Sequence, residues 1–134
     1  MSMINVYEEI GRHAGEVWKT LQTFGPLPET KLMETTHLNE DEFYAAVGWL
    51  ARENKINKTG AMYKLGDTNL TTKIGNDAGK IWKVLETRGT FDVSDITVLT
   101  QIDERDAYSA LGWLARENKI EAKTSLPKEF KIKR

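Results

Sequence analysis

His13 and His37 are the only imidazoles in the 134 residues, and cysteine is absent. The lack of cysteine removes disulfides, thiolate metal ligands and a cysteine nucleophile, and is compatible with a reducing, cytoplasmic setting. No His-x-x-x-His pair, glycine-rich phosphate loop or Gly-x-Ser-x-Gly elbow occurs in the chain. The motifs that mark metalloproteases, nucleotide-using enzymes and serine hydrolases are therefore missing. The run Glu40-Asp41-Glu42 has the composition of a cation site. At the first turn of a helix, however, the same carboxylates are favoured by the helix dipole, and that is the stronger reading. The expectation is a chain without catalysis, cofactor, metal or small-molecule substrate.

What chemistry remains is that of binding. The basic residues concentrate near the C-terminus, where Lys119, Lys123, Lys128, Lys131, Lys133 and Arg134 stand against Glu121 and Glu129. The chain as a whole carries a formal net charge of −1, without the basic surplus usual in a domain that lives on DNA. With 40% hydrophobic and 29% charged residues the composition is that of a globular protein. No apolar run is long enough to span a membrane, and Glu8 and Glu9 interrupt any signal-peptide pattern in the first ten residues.

The elements that position these residues are used twice. Gly48-Trp49-Leu50-Ala51-Arg52-Glu53-Asn54-Lys55-Ile56 returns unchanged as Gly112 to Ile120, an offset of 64. Upstream, Ile10-Gly11, Ala14-Gly15 and Trp18-Lys19 recur as Ile74-Gly75, Ala78-Gly79 and Trp82-Lys83. A single duplication points to two small units in tandem, 1–66 and 74–134, joined by a polar linker at 67–73. Units of about 60 residues are marginal alone and are expected to pack on each other or on a second chain.

In the first unit, Ile10, Ala14, Val17, Leu21 and Phe24 form one apolar stripe, predicting a helix from about Val6 to Phe24. Gly25-Pro26 ends it. After an extended piece around Leu27, a second helix is expected from Thr30 as cap, with Ser94 at the matching place. Asn39 with Glu42 resembles a capping box for a third helix, and Asp103 with Asp106 is a weaker version. The third helix buries Phe43, Ala46, Val47 and Leu50, or Ala107, Ala110, Leu111 and Leu114, and ends near Asn54 and Asn118. A hairpin follows in each unit: Ile56 to Leu65 around Thr59-Gly60, and Ile120 to Ile132 with Leu126-Pro127-Lys128 at the tip. The Gly11-x-x-x-Gly15 pair reads as a place where another helix backbone comes close, and Trp18 and Trp82 read as core.

Three helices and a hairpin make a winged helix-turn-helix, so the fold class is mainly α with small β-hairpins (α+β), in two tandem copies. The combination A-G-x-x-W on the first helix and G-W-L-A-R-E-x-K-I closing the third resembles a small prokaryotic winged-helix family of uncharacterised function. The resemblance implies the architecture and no established ligand.

Turning about 100° per residue around the third helix places Asp41, Ala45, Gly48 and Arg52 opposite the core, or Arg105, Ser109, Gly112 and Arg116 in the second unit. Tyr44 and Trp49 border the first strip, and Tyr108 and Trp113 the second. A mid-helix glycine costs roughly 1 kcal/mol relative to alanine, and here it points away from its own core. Either something else approaches that backbone, or Trp49 folds back over the first helix and the glycine makes room. Two functions stay open, the first preferred and the second its alternative. In the first, a nucleic-acid regulator binds double-stranded DNA mainly through the second unit, with Arg105, Ser109, Arg116, Lys119, Lys123, Lys128 and Lys131. In the second, a protein-interaction adaptor uses Tyr44, Gly48, Trp49, Arg52, Tyr108, Gly112 and Trp113, binding a partner or itself.

Overall fold

A computed structural model describes residues 3–87, 89–123 and 128–133. The expected turn residues Leu126 and Pro127 and the terminal Arg134 lie outside the described residues. The first copy contains β1 (Met3–Ile4), α1 (Val6–Phe24), β2 (Leu27–Pro28), α2 (Glu29–Thr36), α3 (Glu40–Arg52), β3 (Ile56–Thr59) and β4 (Met62–Leu65). The second contains α4 (Thr71–Leu85), β5 (Phe91–Asp92), α5 (Val93–Thr100), α6 (Glu104–Arg116), β6 (Ile120–Lys123) and β7 (Glu129–Ile132). This is the expected tandem winged helix-turn-helix.

Local chemistry sets the helix ends. The Asn5 side chain accepts the Glu8 amide at the start of α1, and Gly25, at φ 77°, closes its end by donating to the Leu21 carbonyl. Asn39 and Glu42 form the full capping box of α3, at 2.9 and 3.0 Å. Asp103 accepts the Asp106 amide without a return bond. Both third helices stop at arginine and turn through a left-handed asparagine, Asn54 at φ 59° and Asn118 at φ 58°. The Lys55 amide donates to the Leu50 carbonyl and that of Asn54 to Ala51, a Schellman stop repeated by Lys119 with Leu114 and Asn118 with Ala115.

The starts of the second helices differ from expectation. Thr30 and Ser94 are not the caps, because each helix begins earlier. Pro28 precedes α2 with its φ fixed near −75° and no side-chain acceptor. Asp92 caps α5 through a reciprocal box with Asp95. The linker is also shorter than expected, since α4 begins at Thr71.

Each wing carries extra strands. In the first sheet the order is β2-β4-β3, with Leu27 opposite Tyr63. In the second it is β1-β6-β7-β5, so the N-terminal strand of the first copy pairs with the wing of the second, Met3 opposite Lys123. The segment leading into the second copy does the reverse with side chains. Asn69 accepts the Lys58 amide and donates to the Lys58 carbonyl, while Asn54 binds both Asp67 and the Thr68 amide. Each wing is thus flanked by the leader of the other copy, across a long sequence separation for Met3 with Lys123 and a short one for Asn69 with Lys58.

The buried residues form one cluster running through both copies, with Leu50 and Leu114 each 2% exposed. Every residue of α3 from Phe43 to Ala51 is buried. A helix apolar on one stripe but buried all round must be covered on its polar side too. The cover is α6. Trp18 and Trp82 are partly buried against the same core, the latter beneath the Lys119 ammonium at 5.3 Å.

Candidate functional site

The two strips expected to face outward face each other. A Cβ built on Gly48 would lie 1.8 Å from the Ser109 carbonyl oxygen, and one on Gly112 would lie 1.9 Å from that of Ala45. The helices cross backbone to backbone at these glycines, and the small Ala45 and Ser109 complete the crossing. Ser109 is accordingly 6% exposed. Within the repeated nine-residue stretch, Gly48 and Gly112 thus have the same place on the two sides of the crossing.

The flanking residues pair across the same pseudo-two-fold axis. Arg52 Nε lies 3.1 Å from Glu117, and Arg116 Nε lies 2.9 Å from Glu53. The Arg116 guanidinium also covers the Trp49 ring at 5.5 Å, and Arg52 covers Trp113 at 5.6 Å. Trp49 folds back over α1 as well. Its ring lies 3.0 Å from the Cβ position of Gly11 and meets Tyr7 edge-on, with centroids 4.7 Å apart. Of the two readings of the glycine, the close approach holds, since Gly48 meets the Ser109 backbone; Trp49 does fold back over α1, but the glycine beside its ring is Gly11. The neighbour of Gly11 is this indole rather than a helix backbone, and nothing lies within 4 Å of a Cβ on Gly15.

Two junctions flank the crossing and differ in charge. At the first, Tyr44 donates a hydrogen bond to Glu29, and Arg105 pairs with Glu40 at 3.1 Å while lying 5.8 Å from the Tyr44 ring. Burial, then the bond to Glu29, raises the Tyr44 phenol well above its usual range. Lys73 closes this side between Asp77 at 3.0 Å and Asp106 at 3.3 Å. At the second junction Asp41 stands at the position of Arg105, beside Tyr108. Burial, then the Asp41 and Glu104 charges, raises the Tyr108 phenol in its turn. Here a cleft of about 410 Å³ opens between α1, α3, α5, α6 and β7.

The basic residues assigned to nucleic acid are engaged with carboxylates. Arg105 and Arg116 are held as described, and Lys119 lies 3.4 Å from Glu117. Lys123 lies 2.9 Å from Glu129, Lys128 lies 2.7 Å from Glu9, and Lys131 lies 3.9 Å from Glu121. Of the residues assigned to an interaction face, Tyr44, Gly48, Trp49 and Gly112 are buried at the join of the two copies, Trp113 is partly buried beside it, Arg52 lies exposed at its rim, and Tyr108 lines the cleft. Sequence reasoning missed Glu40, Glu53 and Glu117 as the acidic half of that join. The repeated Arg-Glu pair was the available signal, since an arginine and an acid side by side on two copies can bond crosswise.

Among the described residues, no cluster of histidines and carboxylates could hold a metal ion, and no helix is long and apolar enough to cross a membrane. The profile of the winged helix-turn-helix domain family DUF2582 matches the chain twice, at residues 4–65 and 69–130. The chain belongs to that family, as two consecutive copies of its domain. Neither the curated proteins nor the solved structures provide a match.

Proposed function

We propose that this chain is a non-catalytic module in which the helices a winged domain would offer to DNA join its own two copies instead. The observation that carries the reading is the crossing at Gly48 and Gly112, where each third helix is covered by the other. A major-groove contact needs that face of the helix free. The acids Glu40, Asp41 and Glu42 at the start of α3 would also meet phosphate charge directly. The nucleic-acid reading, through Arg105, Ser109, Arg116 and the second wing, rests on the fold, and a winged helix is a common DNA-binding architecture.

Electrophoretic mobility with random duplex at low salt tests the proposal, because non-specific affinity comes mainly from phosphate neutralisation. The expected result is no retardation. Retardation whose affinity falls steeply with salt would overturn the reading. Native-state hydrogen exchange supplies a second check, with the amides of 45–50 and 109–114 expected to open only with global unfolding.

A further inference from the structure

We infer that the cleft beside Tyr108 binds a guanidinium group. Val6, Ile10, Leu111 and Phe130 give it an apolar floor, and five carboxylates (Glu9, Asp41, Glu42, Asp92 and Glu104) line it against Lys128. Acidic residues alone would not specify a ligand. The opposite junction does, because there the residues corresponding to Glu104 and Tyr108 already hold a guanidinium. The 64-residue offset relates Glu40 to Glu104, Tyr44 to Tyr108, and Asp41 to Arg105. At the first junction the Arg105 guanidinium lies between Glu40 and the Tyr44 ring face. At the second, the equivalent carboxylate and ring remain, and the residue that would supply the cation is the acid Asp41. The second internal cation changes in the same way, since Lys73 corresponds to Glu9. One junction is closed by its own arginine and lysine; the other keeps the carboxylate and ring that hold the arginine (Glu104 and Tyr108), has acids where those two bases stood, and differs at Val93 in place of Glu29 and His13 in place of Asp77.

Guanidinium fits better than ammonium or a metal ion. Its planar fork matches a carboxylate edge and stacks on an aromatic face, and it is less strongly hydrated than an ammonium, which suits a half-apolar cleft. The described carboxylates do not converge as metal ligands. The inference goes beyond the reading above and stands or falls separately from the DNA test.

Calorimetric titration of the full chain at low salt, with free arginine, the tripeptide Gly-Arg-Gly and the tripeptide Gly-Lys-Gly, tests it. Saturable one-to-one binding of an arginine form, tighter than the lysine peptide, is expected. Comparable affinity for free arginine and the peptide assigns a small-molecule source, and clear preference for the peptide assigns a polypeptide. Asp41→Arg should rebuild the closed junction and reduce affinity more than tenfold. Glu104→Gln should weaken it by roughly two- to fivefold, about one exposed charge pair. Lys128→Ala, which frees Glu9, should tighten it. Absence of binding by both arginine forms, equal binding of the lysine peptide, or full affinity in folded Asp41→Arg and Glu104→Gln variants would overturn the inference.

Discussion

Adding one methyl group at two glycines of this chain should change stability in opposite directions. Gly15 lies in the interior of α1 with nothing within 4 Å of its Cβ position, so Gly15→Ala gains helix propensity at no steric cost. The expected gain is up to about 1 kcal/mol. Gly48 has the same propensity to gain, but its Cβ would sit 1.8 Å from the Ser109 carbonyl oxygen. A backbone oxygen cannot rotate away, so α3 and α6 must part by at least about 1 Å, loosening the packed contacts along the crossing. Overpacking costs about 1–3 kcal/mol where side chains adjust, and a rigid backbone contact belongs at or above the top of that range. After the propensity gain, Gly48→Ala should lose about 2 kcal/mol or more. In a chain of this length that lowers Tm by roughly 6–10 °C. Thermal and urea unfolding followed by tryptophan fluorescence and far-ultraviolet circular dichroism would measure both variants. A Gly48→Ala protein as stable as the parent would refute the close crossing and the functional reading built on it.

Leu50→Ala and Leu114→Ala, each at a position 2% exposed, should lose about 2–5 kcal/mol in urea unfolding; a loss below about 1 kcal/mol would mean the core faces are misassigned. Burial, then the neighbouring Glu29 carboxylate, pushes the Tyr63 phenol from 10.0 up to about 12. The folded state thus favours the neutral phenol, and this contribution to stability is complete below pH 10 and is lost as pH rises toward about 12. Tyr63→Phe should flatten that alkaline fall in the urea midpoint, and an unchanged slope would place the titration elsewhere.

The sequence showed the repeat, the span of α1, the Asn39 cap and both hairpins, because these depend on local periodicity and local hydrogen bonds. It misplaced the caps of α2 and α5. Thr30 and Ser94 are good cap residues, but Pro28 and Asp92 already set the helix start two residues earlier. The pairing of β1 with β6 left no signal, since it joins residues about 120 positions apart through backbone groups that any side chain carries. The candidate face was legible as a set of residues and not as a destination. Outward glycine, flanking aromatics and a terminal arginine describe a helix that something approaches closely. Amphipathic spacing separates inside from outside within one copy, and it is silent on whether the outside meets solvent, a partner or its own repeat.

The crossing of α3 and α6 also removes protein concentration as a variable. Two separate chains joined by this face would come apart on dilution below their dissociation constant. On one chain the second copy is held at an effective concentration on the order of millimolar, as for any short connection between matched sites. The tie from Asn69 to Lys58 keeps that connection short. The join therefore survives in a single molecule at any dilution, even though its rim ion pairs contribute about 0–1 kcal/mol each. A cell holding a few copies would meet no concentration threshold for their assembly.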